Sequence, residues 1–560
     1  MSQSNLPVWD LGLLYTPGAE EQLKAAEELL RRRTEFAEYR RLLEESVPSE
    51  EQFREMVVKQ EEMWILASRL EGLAAMWFSE DTSQQKAQSF LAQMAQMTAD
   101  LSHDLIFFDL WWQKLDQETA SRLRKSLPEF DYFLIRLRAL AEHTLSEPEE
   151  KIITVKNTSG REALITLYDF MTSSYRFDTA FDPEGGGRQV SREELSVYFR
   201  SHNPDIRAGA YGELYRVYGQ AGPLLGQIYQ ALVRDYWQEN VRLRRYPSPQ
   251  NVRHKANDLP QAAVDCLLSV CRRKAPEVFG RYFRKKALAL GTPKLRRCDL
   301  YAPLAEDTRT WSFDEAMAIV EKCFGGFDPR LAELARAVPQ ARHLDAAVRP
   351  GKRDGAYCNS VAPMDIPWVF MSYKGRTHDV FTLAHELGHA VHSQLARDNN
   401  FFQFSSSLPL AETASTFGEM LLAKYLRDEA QTPAQREAVS FQLLDDAYAT
   451  VGRQAFFALF EIQAHDLVQA GATADELAQA YWENLESQFR EVELGPEFRW
   501  EWVSIPHIFH APFYVYAYSF GQLLVYSLWR IYEREGPVLA QRLIKLLSRG
   551  GSASPADLLA

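Results

Sequence analysis

Apolar residues recur at helical spacing over much of this chain, and that periodicity constrains its fold more than any other feature. In Glu20–Glu45, Leu23, Ala26, Leu30, Ala37 and the Leu42-Leu43 pair form a 3.6-residue stripe among charged side chains. Ser49 is placed to cap the next helix, with Glu50 and Glu51 in its first turn. Residues 52–115 continue as long helices rich in Ala, Met and Gln, whose Met and aromatic stripes read as core packing. Further on, Leu224, Leu225, Ile228, Leu232, Tyr236 and Trp237 mark another long amphipathic helix.

Strand candidates are few. Ile152-Ile153-Thr154-Val155 favours a strand and is followed by the turn signal Asn157-Thr158-Ser159-Gly160. The second candidate is Pro367–Tyr373, ending at Lys374-Gly375. Between them, Asp182-Pro-Glu-Gly-Gly-Gly-Arg188 lacks the Lys-Ser/Thr ending of a phosphate-binding loop and reads as a flexible connection. Ser191-Arg-Glu-Glu194 then has the pattern of a capping box. The expectation is a mainly α protein with an N-terminal helical domain over residues 1–195 and a second domain over 196–560.

A chain of 560 residues can bury a large core in two or more packed parts. With a net charge of -13 and no dense basic stripe, nucleic acid is not an expected partner. Five cysteines with no C-x-x-C pair argue against a disulfide framework or a cysteine zinc site. The first ten residues have neither a basic start nor an apolar core, and no apolar run approaches the length of a membrane span. The expected location is the cytoplasm, away from membranes.

Within this helical chain, His385-Glu386-Leu387-Gly388-His389 places two imidazoles and a carboxylate one turn apart. Random shuffling of this composition would produce roughly 0.02 such H-E-x-x-H matches, the pattern of zinc peptidases. Gly375–Asp379 supplies capping residues for a helix beginning near Val380, supported by Phe381, Leu383, Ala384, Leu387, Val391 and Leu395. On a helix His385 and His389 share a face and can reach one ion. A catalytic zinc keeps a position open for water, and Glu386 lies beside it as the group to take that water's proton.

Two histidines need a further ligand. His392 lies roughly 10.5 Å from His385 along the helix axis, too far for three side chains of one straight helix to converge easily, and it reads as a packed histidine. Glu412 and Glu419 lie seven residues apart after Pro409, so they share a helix face. Glu412 is the better ligand, and Glu419 is suited to orient a ligand histidine. Spacing alone also allows both to be solvated helix acids.

A second constellation is Ile505-Pro-His507-Ile-Phe-His510-Ala-Pro-Phe-Tyr514-Val-Tyr516-Ala-Tyr518. Its N–H and O–H groups are of the kind that stabilise an oxygen gaining negative charge. One tyrosine here could as well belong to a buried aromatic helix start; the cluster as a whole reads as functional.

Taken together, Gly355-Ala-Tyr-Cys358, Thr382-Leu-Ala-His-Glu-Leu-Gly-His-Ala390, Ala411-Glu-Thr-Ala-Ser-Thr416 and Pro512-Phe-Tyr-Val-Tyr-Ala-Tyr518 resemble the M3 metallopeptidases. The likeness is greatest to the oligoendopeptidase F branch of the group that includes thimet oligopeptidase. The motifs cover the C-terminal two-thirds of the chain. The resemblance implies a multi-helical ellipsoid split by a deep channel, with zinc at its floor and small β elements nearby, open to short unfolded peptides. It implies His385, His389 and Glu412 as zinc ligands, Glu419 as the orienting acid, and Glu386 as the base that activates a metal-bound water. His507 and Tyr514 would be catalytic, and His510, Tyr516 and Tyr518 would bind substrate. The segment Trp368–Tyr373 would be the edge strand on which substrate backbone pairs, with Tyr373 in contact.

The expected activity is therefore a zinc endopeptidase acting on oligopeptides, as a monomer or small homo-oligomer. The alternatives are a helical peptide-binding protein with a structural metal and a zinc carboxypeptidase.

Overall fold

The structure, a computed structural model, describes residues 6–183, 186–304 and 309–560; Met1–Asn5 and, in the glycine loop, Glu184 and Gly185 lie outside the described residues. It is mainly α, as the periodicity predicts. Ser49 caps a 31-residue helix, Glu50–Glu80. Its hydroxyl accepts the Gln52 N–H at 3.2 Å, and the Gln52 side chain accepts the Ser49 N–H at 2.9 Å. Ser191 and Glu194 close the same reciprocal cap at 3.2 and 2.8 Å.

Ile152-Ile153-Thr154-Val155 is not a strand. It lies inside the helix Glu147–Ser159, where Glu150 anchors the segment through a bidentate pair with Arg244 at 2.7 and 2.8 Å. β-Branched residues lose only a few tenths of a kcal/mol each in a helix, and tertiary contacts override so small a preference. The Asn157–Gly160 signal does break the chain, between this helix and Arg161–Ser174. Beyond it, Phe177–Asp178 and Gln189–Val190 form a two-residue antiparallel ladder.

The chain forms two compact units: residues 1–147, 307–425 and 524–560 make the first, and residues 148–306 and 426–523 the second. This division by contacts does not fall at the expected boundary at residue 195. Residues up to 147 do not stand apart from the metal-motif segment, because Trp9, Leu70 and Leu73 share one buried core with Val361, Trp368 and Phe370. The Trp9 ring lies 5.3 Å from Phe370, and Arg69 grips Asp365 at 2.8 and 2.9 Å.

The first unit holds a three-stranded sheet in the order Leu344–Asp345, Trp368–Phe370, Tyr357–Asn359. Trp368–Phe370 is the middle strand, parallel to the first and antiparallel to the last. The expected edge is therefore a centre, paired on both sides, and the strand left at an edge on the Gly355–Cys358 side is Tyr357–Asn359.

In the second unit the 34-residue helix Pro204–Trp237 packs against Pro496–Ser504, Arg453–Gln469 and Ala474–Gln488. Its interior contains Glu501, fully buried, which accepts from Arg297 at 2.7 Å and Arg453 at 3.0 Å. Removing one partner from such a buried pair costs about 3–5 kcal/mol. Among the described residues no helix is long and apolar enough to cross a membrane.

Candidate active site

The metal-motif helix runs Thr377–Leu395. It starts three residues earlier than the capping pattern suggests, because Asp379 acts from within the first turn. Its carboxylate accepts the N–H groups of Lys374 at 2.8 Å and Arg376 at 2.9 Å, and Trp311 Nε1 donates to Thr377 Oγ1 at 3.0 Å. Val380, Leu383, Ala384, Leu387 and Val391 bury one side of the helix, which leaves His385 and His389 on a partly open face.

Three ligand atoms converge there. His385 Nε2 lies 3.2 Å from His389 Nε2, and Glu412 Oε2 lies 3.3 Å from the first and 3.2 Å from the second. Ligands at zinc distances of 2.0–2.1 Å in a tetrahedron stand about 3.3 Å apart, so the triangle has the edge length such an ion requires. Among the described residues this is the one group of three or more His, Cys, Asp or Glu side chains close enough to share a metal. Two imidazoles and a carboxylate suit zinc, and three protein ligands leave a fourth position open.

The electrostatics agree. Burial opposes charge on His385, but hydrogen bonds with Glu412 and Glu419 outweigh it and raise its affinity for a proton well above the usual imidazole value. Burial likewise opposes charge on Glu412, yet the two imidazoles hold it well below the ordinary carboxylate range. A spot that stabilises a proton this strongly also stabilises a bound cation.

The carboxylate arrives from a separate segment. Glu412 follows the short helix Leu408–Ala411 and precedes the helix Thr413–Glu429, and Ser415 Oγ donates to its Oε2 at 2.9 Å. The two helices meet at Gly388, where a Cβ would lie 2.5 Å from Ser415 Cα and 2.8 Å from the Ala414 carbonyl. Only glycine permits that approach. Seven residues beyond Glu412, Glu419 Oε1 takes a short hydrogen bond from His385 Nδ1, which turns Nε2 toward the triangle.

His392 is not part of the triangle. It is buried behind the site against the Ala411 carbonyl, and burial pushes its imidazole down to about 4, so it stays neutral. Glu386 is 6% exposed and has no hydrogen-bond or ion-pair partner among the described residues. Burial raises its carboxyl above the ordinary range while the neighbouring imidazoles pull the other way. The Cys358 thiol on the edge strand feels the Glu386 charge, a neighbour that the spacing of the motifs does not reveal.

The second unit carries the His/Tyr constellation. The rings of His507 and Tyr514 stack 6.0 Å apart, Tyr518 stands edge-on to Tyr514 at 5.2 Å, and His507 Nε2 lies 3.5 Å from Tyr518 Oη. Burial lowers the His507 pKa, which favours the neutral ring. His510 points elsewhere: its Nε2 pairs with Asp169 at 2.8 Å, which separates it from the His507 cluster.

Two expected substrate contacts are corrected. Tyr516 is 2% exposed, and its hydroxyl is taken up by Asn257 at 2.8 Å and His254 at 3.0 Å. Tyr373 is 3% exposed and donates to the carbonyls of Trp311 and Ser312 at 3.1 and 3.3 Å. Both hydroxyls are spent on the protein's own interior. In the other direction, Arg253, which lies 5.9 Å from the Tyr514 ring centroid, and Glu461, whose Oε1 accepts the Phe513 N–H at 2.8 Å, carry no motif that would mark them.

Comparison with known proteins matches residues 197–560 to peptidase family M3 and residues 111–177 to the N-terminal region described as Oligopeptidase F. An oligoendopeptidase F homolog of Lactococcus lactis subsp. lactis (strain IL1403) is 26% identical over 99% of this chain and 92% of its own length. The oligopeptidase PepF of Bacillus subtilis (strain 168) is 26% identical over 85% of this chain and 70% of its own. In fold, oligoendopeptidase-F from Enterococcus faecium superposes with a TM-score of 0.73 at 21% identity, covering 96% of this chain and 93% of that one. The family match extends over more than half of the chain and includes His385, His389 and Glu412, the triangle that could hold a metal: the chain belongs to peptidase family M3, the metallopeptidases.

Proposed function

We propose that the protein is a zinc endopeptidase that hydrolyses short, unfolded oligopeptides. The observation that carries the zinc assignment is the triangle of His385, His389 and Glu412, with all edges at 3.2–3.3 Å. Zinc held there would polarise the scissile carbonyl and make a water molecule acidic enough to attack near neutral pH. Glu419 keeps His385 in the tautomer that presents Nε2. Glu386, adjacent to His385 in sequence and free of any other partner, takes the proton of the attacking water and passes it to the leaving amine. Burial raises its carboxyl above the ordinary carboxylate range, which strengthens it as a base.

His507, Tyr514 and Tyr518 serve as donors to the carbonyl oxygen as it gains charge. Their support is the grouping of three polar rings, partly open to solvent, in one cluster. Tyr516 and Tyr373 are left out of this set because they are buried with their hydroxyls bonded into the protein interior, and His510 because it pairs with Asp169, apart from the cluster. Substrate backbone adds to the sheet at Tyr357–Asn359, since the strand Trp368–Phe370 is paired on both sides. The names of the bacterial relatives support oligopeptides as the substrate class.

Glu386→Gln tests the reading. Cleavage of N-acetylated, C-amidated peptides should fall by roughly 10²–10⁴-fold with one zinc per chain retained. Wild-type turnover by this variant, or failure of the wild-type enzyme to cut end-blocked peptides internally, overturns it.

A further inference from the structure

Tyr514 is presented by a turn built against local preference. The helix Pro506–His510 ends, and residues 511–514 reverse direction, closed by the Tyr514 N–H on the Ala511 carbonyl at 3.1 Å. Pro512 holds the second position and Phe513 the third, with φ at +58°. This is the type II pattern, whose third position ordinarily takes glycine because side chains resist positive φ. Type I and type II turns differ by a flip of the central peptide plane, here Pro512–Phe513. The flip would return Phe513 to negative φ, so the bare turn would favour it.

Both ends of that plane are held. The Phe513 N–H donates to Glu461 Oε1 at 2.8 Å, from the fully buried side chain of Glu461 on the helix Arg453–Gln469. The Pro512 carbonyl accepts from Arg253 Nε at 3.3 Å, on the helix Pro249–Asn257. The Phe513 ring is buried 4.5 Å from the His465 ring and 6.3 Å from Tyr236. Neither Glu461 Oε2 nor either ring nitrogen of His465 has a partner among the described residues, so no other group draws Glu461 away from Phe513. Burial raises the Glu461 carboxyl to about 8, which lets it serve as a neutral acceptor near pH 7.

We propose that Glu461, with Arg253 at the opposite end, clamps the Pro512–Phe513 peptide in its strained orientation and so fixes where Tyr514 points, making Glu461 a positioning residue for the peptidase reaction. This rests on the assignment of Tyr514 to the substrate oxygen. A flip of this plane leaves the flanking Cα positions nearly in place, but it releases the Phe513 N–H and the Pro512 carbonyl from the groups that tie the turn to two helices, and the turn that carries Tyr514 then shifts against His507 and Tyr518.

The test compares Glu461→Gln, which keeps an acceptor oxygen, with Glu461→Leu, which removes it at similar volume. Glu461→Leu should lower kcat roughly 10–100-fold with KM within roughly threefold, and Glu461→Gln should stay within roughly threefold of wild type in both. In a Tyr514→Phe background Glu461→Leu should cost less than roughly threefold more, because the clamp acts through that residue. A crystal structure of Glu461→Leu should show Phe513 at negative φ. Wild-type kcat in Glu461→Leu, a loss confined to KM, equal damage from Gln and Leu, or a retained positive φ each overturns the clamp. If Tyr514→Phe alone keeps wild-type kcat, the role given to Tyr514 is what fails, and the φ of Phe513 in Glu461→Leu then decides the clamp by itself. Should Glu461→Leu not fold, amide exchange in the wild-type protein decides: a protected Phe513 N–H supports the clamp, and one that exchanges like an exposed amide overturns it.

Discussion

Replacing Gly388 with alanine should loosen the metal site without touching a ligand. The added Cβ would meet Ser415 Cα at 2.5 Å, the Ala414 carbonyl at 2.8 Å and Ser415 N at 2.9 Å, all of them backbone atoms that cannot rotate aside. Ordinary carbon contacts begin near 3.4 Å, so the two helices must part by about 0.9 Å. Glu412 moves with Ser415, because the Ser415 hydroxyl holds its Oε2 at 2.9 Å. The edges from Glu412 to His385 and His389, now 3.3 and 3.2 Å, would stretch to about 4 Å. A tetrahedral ion spanning them would need bonds of about 2.5 Å, longer than zinc accepts from nitrogen or oxygen. Overpacking of this kind costs about 1–3 kcal/mol, equivalent to a roughly 10–100-fold loss of zinc affinity where closing the triangle must supply it. Competition with a chromophoric chelator measures that loss, and excess zinc should restore much of the peptidase activity. Gly418→Ala is the matched control: its Cβ would press mainly on the Phe324 ring at 2.9 Å, a side chain able to yield. Wild-type zinc affinity in Gly388→Ala would refute the reasoning.

Two further outcomes follow from the same geometry. Glu419→Ala should weaken zinc binding roughly 10–100-fold by releasing His385 Nδ1, again read by chelator competition; unchanged affinity would make Glu419 an ordinary helix acid. Glu461 has a folded-state pKa of about 8 against an ordinary 4.5, so between those values unfolding releases a proton and stability falls as pH rises, by about 1.4 kcal/mol per unit. Glu461→Gln removes that titration, and its thermal midpoint should gain on wild type progressively from about pH 5 to about pH 8; a constant difference would mean that the carboxyl ionises normally in the fold.

What could be read from the sequence was local. The helical segments, the Ser49 and Ser191 caps and the one-turn spacing of His385 and His389 are set by neighbours within four residues, and each appears in the structure, although in the first helix Leu29 and Phe36 are buried while Leu23 and Leu30 of the expected stripe are exposed. Glu412 and Glu419 were visible for the same reason: seven residues make two turns, so whatever side one presents, the other repeats. The misreadings fall where long-range contacts decide. Glu150 reaching Arg244 overrules the strand preference of Ile152–Val155. The sheet order that makes Trp368–Phe370 a middle strand depends on partners at 344 and 357. Tyr516 looks like its neighbours Tyr514 and Tyr518 in sequence, and only the presence of Asn257 and His254 shows that its hydroxyl is occupied.

The same division explains two residues on which the site depends most indirectly. In Ala511-Pro-Phe-Tyr514 the proline announces a turn, but the position that needs left-handed backbone carries phenylalanine, so no glycine signals it. The preference is overridden by a carboxyl 52 residues earlier in the chain, accepting the Phe513 N–H from a buried helix. Gly388 is the converse case. It stands at an unspecified position of H-E-x-x-H, three residues after His385, and the pattern itself asks nothing of it. In this fold that position faces the backbone of Ala414 and Ser415, and any side chain there would push Glu412 away from the two histidines. The motif supplies two imidazoles and a carboxylate, the proposed ligands and base; the missing side chain at Gly388 is what lets Glu412 close the triangle with His385 and His389.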